Sequence, residues 1–196
     1  TMTNAAAVLA AGRSNRMGQP KMVLPWGDTT VIGRVVKVLE AAGLDQIVVV
    51  TGGADDAVRA ALENTSARTV FNPQFSNGEM LLSLQTGLVA FPKETGPTLI
   101  FLGDQPLIEA DVVRNVLGVA QSWPEKIVIP SYQRRRGHPW LLPKSLRAEL
   151  LAMVGPLTLH DFLQIHHGDI QYLVVQTPSI LQDLDTPEDY QKFKPD

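Results

Sequence analysis

Apolar residues follow two patterns along this chain: short continuous runs, and longer stretches in which an apolar residue recurs every three or four positions. The continuous runs, such as AAAVLAA at 5–11 and TLIFLG at 98–103, predict strands that are buried on both faces. The second pattern predicts amphipathic helices. The predicted strands are 5–11, 46–51, 68–71, 98–103, 126–130 and 170–175, and the predicted helices are 29–42, 54–63, 79–91, 109–121, 145–153, 158–166 and one that begins near 187.

Strands and helices therefore alternate, which is typical of an α/β fold built on one doubly wound, mostly parallel sheet with helices on both faces. The segment 131–143 interrupts this alternation and predicts a hairpin that turns at the arginine run. Because no internal repeat, low-complexity tract or linker divides the chain, we expect a single domain over residues 2–196. We expect Thr1, which precedes Met2, to be an added residue.

Composition excludes several classes of function. The formal net charge is -3, which argues against a general nucleic-acid partner. The chain has no cysteine, so disulfides, thiolate nucleophiles and zinc ribbons are excluded. No apolar stretch is long enough to span a membrane, and the N-terminus lacks the pattern of a secretory signal, so we expect a cytoplasmic protein without a membrane partner.

The loop after the first strand is rich in glycine and positive charge. Gly12 and Gly18 allow the backbone to approach a ligand, and Arg13, Arg16 and Lys21 supply the charge that a triphosphate requires. The spacing matches neither the P-loop nor the dinucleotide fingerprint, because two residues separate the last glycine from the lysine and no G-x-G occurs. The loop predicts a polyphosphate cradle of another kind.

Two aspartates follow strands and lie where a parallel sheet binds ligands. Asp104 comes directly after the strand 98–103, and Asp185 lies in the connection after the last strand. Carboxylates beside a phosphate cradle are unfavourable unless a cation lies between them, which suggests Mg²⁺. A structural alternative stays open for each: Asp104 could cap a turn led by Pro106, and Asp185 could belong to a helix start capped by Thr186.

A second basic segment offers contacts for another substrate. If Gly137 forms the bend of the predicted hairpin, Arg136 and His138 would be directed across the carboxyl edge of the sheet, and we predict that both bind an acceptor. The arginine run 134–136 could instead be a solvated hairpin tip, and the histidine could be a packing residue. The other histidines lack partners at the spacing of a zinc site.

The loop at 9–21, LAAGRSNRMGQPK, resembles the signature of molybdenum-cofactor nucleotidyltransferases, in particular the molybdopterin cytidylyltransferases. Three further motifs occur in the order typical of that family: GDQP at 103–106, RGHP at 136–139 and DLDTPED at 183–189. The resemblance thus covers nearly the whole chain. It implies a Rossmann-like nucleotidyltransferase fold and Mg²⁺-dependent transfer of CMP from CTP to the phosphate of molybdopterin, with release of pyrophosphate.

The resemblance also implies roles for individual residues. Asp104, Lys21 and Arg16 would be catalytic, and Asp104 and Asp185 would hold the metal. The predicted nucleotide-binding residues are Leu9, Ala10, Ala11, Gly12, Arg13, Arg16, Lys21 and Ser83.

The identities of the nucleotide and of the acceptor substrate are less well determined by the sequence than the enzyme class. The pair Ala10-Ala11 favours CTP, but EMLLSL at 79–84 replaces a Gly-Met-Ser-Ser-Ser-Leu type of stretch, and His160 stands where arginine is frequent. A transferase for a sugar or polyol phosphate is one alternative. A non-catalytic carrier that delivers the cofactor to a molybdenum hydroxylase is another, although mere binding of an anionic cofactor has no use for two carboxylates at the phosphate.

Overall fold

A computed structural model describes residues 4–12 and 19–196 of the chain. In chain order its strands are β1 (Ala5–Ala10), β2 (Pro25–Trp26), β3 (Thr29–Thr30), β4 (Gln46–Thr51), β5 (Arg68–Phe71), β6 (Thr98–Leu102), β7 (Ile127–Tyr132), β8 (Arg135–Arg136), β9 (Trp140–Leu142) and β10 (Ile170–Val174). Its α-helices are α1 (Val31–Ala41), α2 (Asp55–Ala61), α3 (Met80–Val89), α4 (Ala110–Ser122), α5 (Arg147–Ala152), α6 (Leu159–Ile165) and α7 (Pro187–Phe193). None of these helices has the length and apolar content needed to cross a membrane.

The main sheet has the strand order β5-β4-β1-β6-β9-β7-β10. Six of these strands run parallel, and β9 lies antiparallel between β6 and β7. The short strand β8 pairs with the end of β7, while β2 and β3 form a separate ribbon. The predicted fold class, a mostly parallel α/β sheet, is confirmed.

Side chains of β1 alternate between two apolar layers, as expected for a strand covered on both faces. Ala6 and Val8 pack in a cluster with residues of α1 and α4, whereas Ala5, Ala7 and Leu9 pack with residues of α3, α5 and α6. Every residue of β1 is at least nine-tenths buried. Helices therefore cover both faces of the sheet, which is the doubly wound arrangement.

Helix α3 lies unusually close to the sheet. A Cβ atom on Gly87 would lie 2.9 Å from Val50 Cγ2 and 3.4 Å from the Cβ of Ala7, so a larger residue has no room there. At the far end of α3 the buried guanidinium of Arg147, on α5, donates to the carbonyls of Leu88 at 2.5 Å, Phe91 at 3.0 Å and Pro92 at 3.1 Å. A cation at a helix C-terminus satisfies carbonyls that have no partner within the helix and complements the helix dipole.

The segment 131–143 turns at the start of the arginine run, but the predicted bend at Gly137 is wrong. Gln133 and Arg134 form the bend, with φ of 48° and 65°, as a two-residue turn between antiparallel strands requires. Gly137 has a different role: its N–H donates to Pro130 O at 3.0 Å, and a Cβ atom would collide with the carbonyl of Ile180. Glycine is needed there for close backbone contact, because any side chain would force the two segments apart.

A charged cluster joins α5, α6 and the segment before β10. The two ring nitrogens of His166 lie 2.8 Å from Glu149 Oε1 and 3.2 Å from Asp169 Oδ2, and the ring packs on Phe162. Burial lowers the pKa of His166, but hydrogen bonds to both carboxylates outweigh it, so the pKa is raised above the ordinary 6.5. The protonated ring can donate to both partners at once.

We predict that this cluster makes folding stability depend on pH. Because the folded protein holds the His166 proton more tightly, the stabilisation is complete below about 6.5 and is lost as pH rises through the raised pKa. The expected loss is up to about 1 kcal/mol, the usual size for a partly exposed charged cluster. Denaturant titrations between pH 6 and 8.5 should show that the free energy of unfolding falls with rising pH in the wild type. This slope should be absent in His166→Gln. A control substitution, His167→Gln, should keep the slope, and an identical slope in both variants would contradict the assignment.

Candidate active site

A pocket of about 250 Å³ opens where β1 and β6 end side by side. The chain leaves β1 towards β4 and β5 on one side of the sheet, and β6 lies on the other side, so this is the point where the strand order changes direction. Open parallel sheets bind ligands at that point. Leu9, Ala11 and Gly12 line the pocket from β1, and Leu102 and Asp104 line it from β6.

One end of the pocket is charged, and Lys21 lies at its centre. Its ammonium group donates to Asp104 Oδ2 at 2.7 Å and to the backbone carbonyl of Leu184 at 3.0 Å, and it lies 3.5 Å from Asp185 Oδ1. The side chains of Lys21 and Asp104 are only 14% and 18% exposed, so this contact is poorly screened by water. The structure therefore brings together three predicted site residues from distant parts of the chain.

Leu184 anchors the acidic segment that carries Asp185. Its side chain is fully buried against Leu24, Trp26 and Val31, and its N–H donates to the carbonyl of Asp104 at 3.0 Å. These contacts hold the residues on either side of Leu184 next to the end of β6.

Asp183 is a further acidic residue of the site that the sequence analysis did not assign. It lines the pocket, and its carboxylate accepts a hydrogen bond from the amide of the buried Gln105. Burial and then the charges of Asp104 and Asp185 raise the pKa of Asp183, against the opposing effects of Gln105 and Lys21. The D-x-D spacing was the available signal, since side chains two residues apart in an extended segment lie on the same side.

The helix-start alternative for Asp185 is only partly correct. Thr186 caps α7, with Asp189 completing a reciprocal capping box and Pro187 in the first turn. The carboxylate of Asp185 takes no part in this cap and lies instead near Lys21. The helix start and the site contact therefore coexist in neighbouring residues.

The other end of the pocket has little charge. Its wall consists of Phe75, Gly78, Glu79, Met80 and Ser83, from the segment that leads into α3 and from the first turn of that helix. The carboxylate of Glu79 is the exception in this wall, and it belongs to an exposed residue at the rim.

A buried asparagine supports this wall. Asn72 is 1% exposed, and its Nδ2 donates to Ser83 Oγ at 3.1 Å while its Oδ1 accepts from the N–H of Gln74 at 2.9 Å. The sequence analysis did not single out Asn72.

The remaining predicted nucleotide-binding residues do not all lie at the pocket in the part of the chain that the structure describes. The side chain of Ala10 packs in the apolar layer on the opposite face of the sheet from Leu9 and Ala11. Among the residues that the structure describes, a Cβ atom on Gly12 would meet nothing within 4 Å. Arg13 and Arg16 lie outside the described residues, and their roles stay predictions.

The two predicted acceptor residues do not line this pocket. Arg136 is exposed on β8, with its guanidinium carbon 5.5 Å from the centre of the Tyr172 ring. Burial lowers the pKa of His138 to about 4, so its ring is neutral at physiological pH. His138 can therefore offer a hydrogen bond but no charge, and acceptor binding by both residues stays a prediction.

Comparison with known proteins identifies the family. A model of the MobA-like NTP transferase domain matches residues 6–170. The chain belongs to this family of nucleotidyltransferases. The predicted family and the predicted enzyme class, a nucleotidyltransferase, are confirmed.

Several MobA-like relatives cover almost the whole chain. The molybdenum cofactor cytidylyltransferase of Escherichia coli is 27% identical over 93% of this chain and 91% of its own length. The crystal structure of Rv0371c from Mycobacterium tuberculosis matches with a TM-score of 0.83 and 31% identity over 97% of each chain, and the same protein has been solved in complex with manganese. A nucleotidyl transferase from Methanothermobacter matches with a TM-score of 0.83 and 25% identity, covering 98% of this chain and 96% of its own.

We predict that Asp183→Asn stabilises this MobA-like transferase at neutral pH. A raised pKa means that the ionised carboxylate destabilises the folded state, and this cost is absent below about 3.8 and complete above the raised pKa. The amide variant can still accept the hydrogen bond from Gln105. We expect a melting temperature higher by about 2–4 °C for each kcal/mol of relief at pH 7.5, and a smaller gain at pH 4, close to the ordinary pKa of 3.8.

Scanning calorimetry at the two pH values tests this prediction, with Asp56→Asn on α2 as an exposed control. An equal gain at both pH values, or a loss at pH 7.5, would show that the carboxylate of Asp183 is not under electrostatic strain.

Proposed function

We propose that this protein is a cytoplasmic, Mg²⁺-dependent cytidylyltransferase that transfers CMP from CTP to the phosphate of a molybdopterin-type acceptor. The observation that carries the proposal is the charged end of the pocket, where Lys21 lies between Asp104 and Asp185 at the ends of β1 and β6. The similarity to the Escherichia coli molybdenum cofactor cytidylyltransferase supports the choice of substrates. A molybdenum hydroxylase would be the destination of the product.

The reaction needs positioning and charge neutralisation more than covalent help. An oxygen of the acceptor phosphate attacks the α-phosphorus of CTP, the bond between the α-phosphorus and the bridging oxygen breaks, and pyrophosphate leaves with that oxygen. The acceptor phosphate is already anionic near neutral pH, so no residue has to remove a proton from it. The pocket has to hold two anionic substrates in line, and this is the role of its cations.

The donor set of the charged end fits a divalent cation. Among the residues that the structure describes, the ammonium group of Lys21 contacts Asp104 and Asp185, and the carboxylate of Asp183 lines the same end of the pocket. These four side chains together carry net negative charge. Within residues 4–12 and 19–196, no group of three or more acidic, histidine or cysteine side chains forms a ready-made metal cage. Such a partial set suits Mg²⁺, which takes few protein carboxylates and completes its shell with water and substrate phosphate.

Asp104 and Asp185 would hold this metal, and Lys21 would then be free to bind the leaving phosphates. When bound, the metal neutralises the phosphate oxygens on which negative charge develops. The manganese complex of Rv0371c is consistent with a divalent cation in this family.

The layout of the pocket supports a proposal for where the two parts of the nucleotide bind. We propose that the triphosphate binds at the end with Lys21 and Gly12 and that the nucleoside binds at the end with Phe75 and Ser83. The acceptor would approach Asp104 from another side, where we propose that Arg136 supplies positive charge and the neutral His138 a hydrogen bond.

A substrate panel tests the proposed function directly. Purified protein is incubated with Mg²⁺, each of the four nucleoside triphosphates, and either molybdopterin or a sugar or polyol phosphate, and the release of pyrophosphate is measured. We expect release only with CTP and molybdopterin together. Release with another phosphorylated acceptor would overturn the proposed acceptor, and no release with any pair would overturn the proposed activity in favour of a carrier.

We predict that Asp104→Ala lowers the turnover rate at least 100-fold in saturating Mg²⁺. The carboxylate supports charge stabilisation in the transition state, and each tenfold loss of rate corresponds to about 1.4 kcal/mol. Asp185→Ala should have a similar effect, while Asp56→Ala serves as the control. If Asp104→Ala kept more than about a tenth of the rate, this carboxylate would not be a ligand of the catalytic metal.

We predict that Lys21→Ala has opposite effects on the binding of metal and of nucleotide. The ammonium group of Lys21 competes for the carboxylates that would hold the metal, so its removal should strengthen Mn²⁺ binding to the nucleotide-free protein several-fold. The same change removes a charge from the phosphate site and should weaken CTP binding. Calorimetric titrations measure both affinities, with Lys144→Ala as the control. Weaker Mn²⁺ binding in Lys21→Ala would contradict the proposed exchange of cations.

A further inference from the structure

The side chain of Asn72 has only one possible orientation. Its Oδ1 lies 2.9 Å from the backbone nitrogen of Gln74, which can only donate, so the oxygen must be on that side. The amide nitrogen is then on the side of Ser83, where it donates to Oγ at 3.1 Å. The usual ambiguity between the oxygen and nitrogen of an asparagine side chain is therefore removed by the neighbouring backbone.

This orientation determines what Ser83 can do. The hydroxyl oxygen already accepts a hydrogen bond, and its proton donates to none of the residues that the structure describes. In the next turn of α3, Thr86 donates its hydroxyl proton back to the carbonyl of Leu82 at 2.8 Å, but Ser83 makes no corresponding bond. Ser83 is 7% exposed and lines the pocket, so its proton is available to a ligand that binds there.

We propose that Asn72 is a positioning residue for nucleobase selection: it makes Ser83 a hydrogen-bond donor towards the base and so selects a base with an acceptor at that point. The proposal rests on the proposed function, because it assumes that the nucleoside occupies this end of the pocket. Cytosine fits, since its O2 and N3 are acceptors beside an N4 amino group that donates. Glu79, the N-cap residue of α3, lines the same pocket as Ser83 and provides a carboxylate that can accept from such an amino group.

The selecting role can be separated from a structural one, because the backbone of Asn72 makes its own contacts. Its N–H donates to Thr51 O at 2.9 Å, and its carbonyl accepts from the N–H of Phe75 at 3.2 Å. A change of the side chain leaves both bonds in place, so the loop keeps its connection to β4.

Asn72→Asp is the decisive variant. It has the same shape and keeps an oxygen for the N–H of Gln74, but it replaces the donor facing Ser83 by an acceptor. The hydroxyl proton of Ser83 then turns to the new carboxylate, and the base meets lone pairs instead of a donor. Binding of CTP and of inorganic tripolyphosphate is measured by calorimetry in the presence of Mg²⁺, and the ratio of the two affinities reports the contribution of the nucleoside alone.

We expect this ratio to fall about tenfold in Asn72→Asp, the size of one lost hydrogen bond, with the tripolyphosphate affinity unchanged. A buried carboxyl group has a raised pKa, and its neutral form can donate again. The ratio should therefore recover in Asn72→Asp as the pH is lowered from 8 to 6. A change at the charged end of the pocket affects both ligands and cancels in the ratio.

Ser83→Ala provides a second variant that does not place a charge in the interior. It should lower the ratio to a similar extent at every pH, with no recovery on acidification, and Asn72→Asp combined with Ser83→Ala should add no further loss. A ratio that stays at the wild-type value in either single variant, or a parallel fall in CTP and tripolyphosphate binding, would overturn the proposal.

Wild-type measurements separate this inference from the proposed function. If another triphosphate binds more tightly than CTP, the proposed nucleotide is wrong, and the same ratio with that triphosphate tests Asn72. If no nucleotide binds more tightly than tripolyphosphate, the pocket does not hold a base at Ser83 and both are overturned.

Discussion

The close contact between α3 and the sheet is the constraint on which the pocket depends. A Cβ atom on Gly87 would lie too close to Val50 and in contact with Ala7, so the glycine allows α3 to approach β1 and β4 closely. Ser83 lies one turn earlier on the same side of the helix, and Glu79 is the N-cap residue before the first turn, so the positions of both depend on this contact. A larger residue at position 87 would lift α3 and widen the pocket at the end where the nucleoside is proposed to bind.

The charged end of the pocket lowers the stability of the folded protein, because it holds carboxylates close together in a partly buried place. Asp104 and Asp183 carry negative charge in a partly buried place, and the raised pKa of Asp183 reflects this cost. Lys21 relieves part of the repulsion in the free protein. Functional sites commonly break the local rules of stability in this way, and the surrounding fold supplies the free energy.

The sequence allowed the order and type of most elements to be predicted, because each depends on local patterns. The run 5–11 could only be a buried strand, and the cap at Thr186 was readable from its neighbours. What could not be predicted depends on contacts between distant residues. The antiparallel insertion of β9 and the approach of Gly137 to Ile180 have no local signal, and the bend at Gln133 lacks the glycine or asparagine that usually marks positive φ.

The residues of the site also differ in whether a local sequence pattern or a contact with a distant residue reveals them. Lys21 and Asp104 were predicted to belong to one site because both follow strands of a parallel sheet, whereas Asn72 was missed because its importance lies in one hydrogen bond to Ser83 across a loop. The pH-dependent contacts of His166 were missed for a similar reason, since Glu149 is distant in sequence.

The guanidinium of Arg147 holds only one end of α3. It holds the C-terminal end of the helix by three carbonyls, while the N-terminal end begins at Glu79 without a side-chain cap. The C-terminal end of α3 is thus held by hydrogen bonds to Arg147, and these bonds do not depend on the residues at the N-terminal end. Within this N-terminal end, Leu81 belongs to the core, whereas Glu79 and Met80 are exposed and line the pocket, so these two positions can vary without disturbing the packing of the helix.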